Sequence, residues 1–193
     1  MPLSSDEHSK KIQRTLALYN MIPNLIWTII NLTPIFIFCF TLMSHKIIYI
    51  FLAVSSIPIF LKNSFLDKLQ VAKTTSTYKK LGVNVINRFA QNGAIINRLM
   101  KKKFPEYKIV SIKESSISSL IGHTYMFEKF HLILFLFFDF TIVYAIVNAH
   151  LFWASIILVS NIAYNIYPNL LQQYIRLKLK LYKKRTSNHL HLN

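Results

Sequence analysis

The residues best suited to chemistry in this chain are Glu128 and His131, which lie three positions apart just before a long apolar run. On a helix, that spacing places both side chains on one face. A carboxylate bonded to an imidazole fixes the imidazole tautomer and raises its basicity, as general-base activation of a hydroxyl group requires. We therefore predict a catalytic pair at this position.

A second polar cluster follows the next apolar run, and it contains Asn165, Gln172, Tyr174 and Arg176. The two apolar runs, residues 130–148 and 151–167, have the length and composition of a helical hairpin within a membrane. Because both polar clusters lie at the open end of that hairpin, we expect them to be neighbours in the fold and to form one site.

Asp139 lies on the same predicted helical face as Glu128 and His131, about 16 Å deeper in the membrane. A carboxylate at that depth is costly, so it marks a functional site or is protonated against an asparagine. We predict that Asp139 binds a substrate hydroxyl or a neighbouring helix. Asparagines form polar stripes on two other predicted helices, and amides in lipid commonly bond helices together.

Composition places the chain among membrane proteins. Apolar residues make up 53% of it and the formal charge is +16, so apolar and basic residues must be segregated along the chain. A nucleic-acid-binding protein can share that charge but does not carry several apolar runs of membrane length. We therefore predict no nucleic-acid partner. The single cysteine, Cys39, excludes an internal disulfide.

Four apolar segments are candidate transmembrane helices: residues 21–42, 47–61, 130–148 and 151–167. The second is the shortest; a re-entrant segment is the alternative there, and we favour a span. Lysine and arginine are concentrated in both termini and between the second and third candidates, which places all three regions in the cytoplasm. We predict an all-α polytopic protein with four transmembrane helices in two hairpins, in the cytoplasmic (inner) membrane of a bacterium.

The predicted organisation is a single membrane domain. Its parts are a cytoplasmic N-terminus (1–20), a first hairpin (21–62), a cytoplasmic amphipathic segment (63–127), a second hairpin (128–168) and a basic cytoplasmic tail (169–193).

Within the amphipathic segment we expect helices over residues 63–80, 84–90 and 93–103 along the lipid headgroups, and a short extended piece at 107–112. The three consecutive lysines that begin at Lys101 are expected to anchor this segment to anionic lipid. Binding of an anionic substrate, such as the phosphates of coenzyme A, is the alternative for them.

Other kinds of site are not indicated by the sequence. Glu-x-x-His is the ligand spacing of di-iron helical bundles, but such a site needs a second copy and further carboxylates. The chain contains no glycine-rich phosphate loop, nucleophile elbow or dinucleotide fingerprint. We predict no metal and no bound cofactor.

The polar clusters resemble motifs of the glycosyl-diaponeurosporenoate acyltransferases of the staphyloxanthin pathway, a family of small, basic, membrane-embedded enzymes. In that family Ala-Glu-x-x-His-Trp precedes one apolar helix and Pro-x-x-x-Gln-Arg-Tyr-Asn-Arg-Pro-Arg follows another. This chain has Phe127-Glu128-Lys-Phe-His131, then Pro168-x-x-x-Gln172-Gln-Tyr174-x-Arg176, with Asn92-Gly93-x-x-x-Asn97-Arg98 before them. The resemblance covers residues 78–180, roughly half of the chain.

Several positions depart from the family pattern. Leu132 replaces its Trp, Gln173 an Arg, Ile175 an Asn and Leu177 a Pro. The retained residues are Glu128, His131, Gln172, Tyr174 and Arg176. The resemblance thus carries the acid/base pair and one cation onto this chain, and it leaves the substrate open.

With the resemblance, the sequence predicts an acyltransferase for groups other than aminoacyl groups. Its donor is acyl-CoA or another acyl thioester, and its acceptor is a hydroxyl of a glycosylated or other membrane lipid at the cytoplasmic leaflet. His131 is the expected base, oriented by Glu128, while Arg176 with Gln172 binds the donor phosphates or the oxyanion. Tyr174, Asn165 and Asp139 complete the expected substrate-binding set.

Two other classes of function stay open. One is a non-enzymatic membrane subunit whose polar stripes hold its helices together or dock a partner. The other is a small proton-coupled glycolipid transporter with Asp139 as the proton carrier. Assembly into a homo-oligomer or a larger membrane complex is also open.

Overall fold

The computed structural model describes residues 5–89, 93–105 and 114–190. None of these residues forms a β-strand, which confirms the predicted all-α class. The helices are α1 (Ser5–Leu42), α2 (His45–Ser55), a 3₁₀ turn (Ile57–Phe60), α3 (Asn63–Lys68), α4 (Thr75–Lys80), α5 (Val83–Phe89), α6 (Ala94–Lys103), α7 (Glu114–Val147), α8 (Leu151–Asn161), a π-helical turn (Ile162–Ile166) and α9 (Tyr167–Leu190). The predicted extended piece at 107–112 lies outside the described residues.

Within the described part of the chain, three helical segments are long and apolar enough to cross a membrane. They are Asp6–Leu42, Ile117–Val147 and Leu151–Arg185. The second predicted span, residues 47–61, corresponds to the shorter apolar segment His45–Phe60. Its α-helix ends at Ser55 because Pro58 follows, and the chain continues as a 3₁₀ turn.

The long helices extend well beyond the predicted apolar runs. Helix α1 has 38 residues, about 57 Å at 1.5 Å per residue, whereas a bilayer core is about 30 Å thick. Its polar first turns contain an ion pair between Lys10 Nζ and Asp6 Oδ2 at 2.8 Å. Pro23 and Pro34 lie inside the helix without ending it. The helix therefore begins about four turns before the predicted span of residues 21–42.

One apolar core joins α1, α2, α7 and α8 near the turns at residues 43–44 and 148–150. Its buried members include Phe38, Ile48, Phe138 and Ile157. Tyr144 Oη donates to the carbonyl of Leu42 at 3.4 Å, which brings the two turns together. Both turns therefore lie at the same end of the molecule.

The helices of the central segment pack onto the long helices instead of lying free along a surface. Tyr78 and Val83, from α4 and α5, share a core with Leu171 and Tyr174 of α9. Ile96 and Met100 of α6, with Phe104 just after it, are buried against Ile12, Leu16 and Tyr19 of α1. The expected membrane-surface face of α6 is thus partly used inside the protein, while Ile95, Leu99 and its three lysines remain exposed.

The boundaries within the central segment also differ from the expectation. The predicted helix over residues 63–80 is two short helices, α3 and α4, separated by residues 69–74. Thr74 caps the second one by accepting a hydrogen bond from Thr77 N at 3.4 Å. Gly82, at φ +82°, then separates α4 from α5, because that backbone conformation suits glycine.

Candidate active site

Glu128 and Arg176 form a buried ion pair between α7 and α9. Glu128 is 1% exposed and Arg176 is completely buried. Arg176 Nη1 donates to Glu128 Oε2, and Gln173 Nε2 donates to Glu128 Oε1 at 2.7 Å. Two residues three positions apart on α9 therefore engage both carboxylate oxygens.

Gln173 links this ion pair to the central segment. Its Oε1 accepts hydrogen bonds from Tyr78 Oη at 2.9 Å and from Val71 N at 3.1 Å. Tyr78 Oη in turn accepts from Ala72 N at 3.2 Å. Burial raises the pKa of Tyr78, so the phenol is a hydrogen-bond donor at neutral pH. The amide of Gln173 is thus fixed with its NH₂ group toward Glu128.

Asp67 is a second carboxylate beside the same arginine and was not among the predicted site residues. It accepts from Tyr125 Oη at 2.8 Å and from Lys180 Nζ at 2.9 Å, and Arg176 Nε lies 3.4 Å away. The Arg176 guanidinium also lies over the Tyr125 ring, with Cζ 4.3 Å from its centroid. The chain has seven acidic residues against 23 basic ones, and that scarcity is the signal that could have drawn attention to Asp67.

The environment of Asp67 stabilises its ionised form. Partial burial acts to raise the pKa of this carboxyl. Hydrogen bonds from Lys180 and Tyr125, with the charges of Lys180 and Arg176, outweigh burial and hold the pKa below its ordinary value.

His131, the other member of the predicted catalytic pair, is not bonded to Glu128. Its ring meets the Tyr164 ring edge-on, with centroids 5.9 Å apart. Its Nδ1 is buried without a hydrogen-bond partner, and the Asn165 side chain and the Tyr164 backbone lie beside the imidazole. The expected Glu128–His131 contact is replaced, because a charged guanidinium and an amide already occupy both Glu128 oxygens.

Asp139 is bonded to a neighbouring helix, which was one of its two predicted roles. Asn161 Nδ2 donates to Asp139 Oδ1 at 2.9 Å, and Asn165 Nδ2 donates to Asn161 Oδ1 at 2.7 Å. The π-helical turn holds Tyr164 and Asn165, and Tyr164 Oη is 3.1 Å from Thr28 Oγ1 on α1. The π-helical turn therefore contacts α1 through Tyr164 and is linked to Asp139 of α7 through Asn165 and Asn161.

The remaining predicted residues lie elsewhere. Tyr174 is buried against Tyr78, with ring centroids 6.2 Å apart, in the core that α9 shares with α4 and α5. Gln172, predicted to bind the donor phosphates or the oxyanion, is half-buried, and its neighbour Gln173 is the glutamine that bonds Glu128. The structure thus groups Glu128 with Arg176, and Asp139 with Asn165 and His131.

The π-helical turn explains why Gln173, and not the predicted Gln172, faces Glu128. Amide side chains that are buried, or half-buried in the case of Asn169, recur every four positions from α8 through the π-helical turn into α9, at Asn161, Asn165, Asn169 and Gln173. On a regular α-helix each step of four drifts by about 40°, and a π turn has a wider repeat that absorbs part of the drift. The stripe therefore stays on one face as far as Gln173, where a regular helix favours Gln172.

Two other features bound the chemistry of the site. Among the described residues, no three His, Cys, Asp or Glu side chains converge as a metal site would require. An apolar groove of about 390 Å³ lies between the 3₁₀ turn and α7, lined by residues such as Met126 and Ile133. At 100° per residue Met126 and Ile133 face away from His131. Tyr125, which contacts Asp67 and Arg176, also lines the groove.

Three helices of membrane length enclosing buried polar side chains define an integral membrane protein with an internal polar site. The family model of glycosyl-4,4'-diaponeurosporenoate acyltransferase (CrtO) matches residues 62–185. The chain belongs to this family of acyltransferases, which confirms the resemblance of its motifs and extends it at both ends. Searches of curated proteins and of solved structures found no match.

Proposed function

We propose that this protein transfers a fatty acyl group from a thioester donor to a hydroxyl of a glycosylated membrane lipid at the cytoplasmic leaflet. The observation that carries the proposal is His131, whose partly buried imidazole has an unpartnered Nδ1 among polar side chains in a chain of an acyltransferase family. An imidazole in such surroundings is suited to take a proton from a bound hydroxyl.

The proposed reaction is a single acyl transfer. The lipid hydroxyl gives its proton to His131 as its oxygen attacks the thioester carbonyl carbon. The tetrahedral intermediate then expels the thiolate, which receives the proton from the imidazolium. The products are an ester and a free thiol, and His131 returns to its neutral form.

The contacts of Arg176 favour a positioning role over the expected contact with donor phosphates. Its guanidinium is completely buried and interacts with Glu128, Asp67 and Tyr125. Exposed basic residues are better placed for an anionic donor, including Lys102 and Lys103 of α6 and Lys183 and Lys184 of α9.

We further propose four crossings with both termini in the cytoplasm of a bacterial cell. Helix α6 packs on Ile12, Leu16 and Tyr19, which precede the apolar part of α1. If α1 crosses once, the chain must cross back before α6, and the segment His45–Phe60 is the available apolar helix. Lys129, just before the apolar run of α7, donates through Nζ to the Ile59 carbonyl at 3.2 Å. This bond supports placing the end of that segment at the same membrane boundary as the start of the apolar run.

The test compares membrane lipids by mass spectrometry in cells that lack the gene and in complemented cells. One strain receives the native chain, a second His131→Ala, and a third His123→Ala as a control on the same helix, where His123 is exposed. We expect one lipid class to lose the mass of a fatty acyl group in the deletion. The native chain and His123→Ala should restore it.

His131→Ala should lower the transfer rate by about 10²- to 10⁴-fold, the usual contribution of a general base. Full activity of His131→Ala, inserted at normal levels, contradicts the proposed mechanism. Identical lipid profiles in all strains, under conditions in which the native chain is made, contradict the proposed function.

A further inference from the structure

A line of hydrogen-bonded side chains leads from Asp139 to Asn165, whose side chain lies beside His131. Asp139 Oδ1 accepts from Asn161 Nδ2 at 2.9 Å, and Asn161 Oδ1 accepts from Asn165 Nδ2 at 2.7 Å. Asn161 is 1% exposed and Asn165 is completely buried. Buried amides with these contacts have little freedom to turn.

A backbone carbonyl of α7 fixes the orientation of the amide groups in this line. The backbone carbonyl of Phe135 also accepts from Asn161 Nδ2, at 3.3 Å. A carbonyl can only accept, so the NH₂ end of Asn161 faces α7 and its oxygen faces Asn165. Asn165 must then direct its own NH₂ group to Asn161, which leaves its Oδ1 for another donor.

That oxygen and the buried nitrogen of His131 are both without partners. Asn165 Oδ1 and His131 Nδ1 are buried, and neither has a partner with the geometry of a formed hydrogen bond. The Asn165 side chain and the Tyr164 backbone lie close enough to interact with the imidazole, whose ring also meets the Tyr164 ring at 5.9 Å. A small rotation that brings them together breaks no existing hydrogen bond at either atom. An oxygen acceptor beside an imidazole nitrogen is satisfied only when that nitrogen carries the proton.

We propose that Asn165 is a positioning residue: its Oδ1 accepts the Nδ1 proton of His131 and so leaves Nε2 unprotonated to act as the base. Asn165 thereby performs the task that the sequence assigned to Glu128, whose two oxygens are occupied by Gln173 and Arg176. The catalytic meaning of this tautomer rests on the proposed function, but the tautomer itself does not.

The test is ¹⁵N NMR of the full chain, labelled at histidine and reconstituted in lipid nanodiscs. The chain has seven histidines, and the His131 signals are assigned by their loss in His131→Ala. We expect the native protein to carry the proton on Nδ1. Asn165→Leu removes the acceptor and should shift the signals toward the Nε2-protonated form.

Two further variants separate this effect from general disturbance of the helices. Asn161→Leu breaks the line one residue earlier and keeps Asn165. It replaces Asn165→Leu as the test variant if Asn165→Leu does not fold. Thr141→Val is the matched control, because its buried hydroxyl donates to the Phe137 carbonyl at 2.8 Å and is not part of the line. The control should keep the native tautomer.

Transfer kinetics supply the second readout. Asn165→Leu should lower kcat by about tenfold or more with little change in KM, whereas Thr141→Val, which lies outside the line, should stay close to the native rate. A native His131 protonated on Nε2, or a tautomer that Asn165→Leu leaves unchanged, overturns the inference.

The two proposals fail in different ways. If the NMR signals behave as expected while His131→Ala keeps full activity, the positioning role stands and the proposed mechanism falls. If His131→Ala is inactive while Asn165→Leu changes neither the tautomer nor kcat, the mechanism stands and this inference falls.

Discussion

Arg176 donates a hydrogen bond to Glu128 across α7 and α9, 48 positions apart in the chain and both shielded from solvent. Two opposite charges in such a place stabilise each other only as a pair, because each alone is costly to bury. The pair also draws in Gln173 and Asp67 and so joins the long helices to the central segment.

Removing one member of this pair should destabilise the protein strongly. Arg176→Ala leaves Glu128 buried without a counter-charge, at a cost of about 3–5 kcal/mol. The unfolding midpoint of the purified protein in detergent measures the effect. The double variant Glu128→Gln with Arg176→Met should regain part of the loss. Lys10→Ala, which breaks an exposed ion pair, should change the unfolding midpoint little. If Arg176→Ala and Lys10→Ala lower the midpoint equally, the prediction is wrong.

Gln173 and Gln172 should respond differently to the same substitution. Gln173→Leu removes the donor to Glu128 and the acceptor for Tyr78 and Val71 N, so it should cost about 1–3 kcal/mol of stability. Gln172→Leu, one position earlier, should cost much less. Unfolding midpoints of the two variants make the comparison, and a larger loss at Gln172 would show that the face of α9 is assigned wrongly.

Acid should weaken the protein partly through Asp67. Its pKa is lower in the folded protein than the ordinary 3.8, so its contribution to stability is complete above about pH 4 and is lost as pH falls through the lower folded value. Asp67→Asn lacks this component and should show a shallower loss of stability below pH 4. Unfolding midpoints between pH 6 and pH 3 test this, with Asp6→Asn as an exposed control.

The proposed topology can be tested with single cysteines in a Cys39→Ala background. We expect Ala149→Cys, in the turn between α7 and α8, to react with an impermeant maleimide in intact cells. Lys102→Cys on exposed α6 should react only after the membrane is opened. Labelling of Lys102→Cys in intact cells would mean that residues 45–60 do not cross.

The hydrogen bond between Tyr164 and Thr28 should contribute modestly to joining α1 to the π-helical turn. Tyr164→Phe removes only the hydroxyl, which lies 3.1 Å from Thr28 Oγ1, and should cost about 0.5–1.5 kcal/mol. Thr28→Val removes the other partner. In a double-mutant cycle of unfolding midpoints, the two losses should not add, and full additivity speaks against the bond.

The sequence by itself determined the helical class, three of the four apolar segments as helices of membrane length, and the family. These follow from composition, periodicity and short motifs, all of which are local properties of the chain. It also selected Glu128, Arg176, Asp139, Asn165 and His131, because charged and amide groups are conspicuous in apolar helices.

The tertiary structure decided which of these residues meet. Glu128 binds Gln173 and Arg176 instead of His131, and Asp67 joins them from another helix. Partner choice depends on the rotation and axial position of one helix against another, which periodicity within a helix does not specify. A single π-helical turn, which the residue types do not predict, rotates the residues of α9 relative to those of α8. It therefore decides that Gln173, and not Gln172, contacts Glu128.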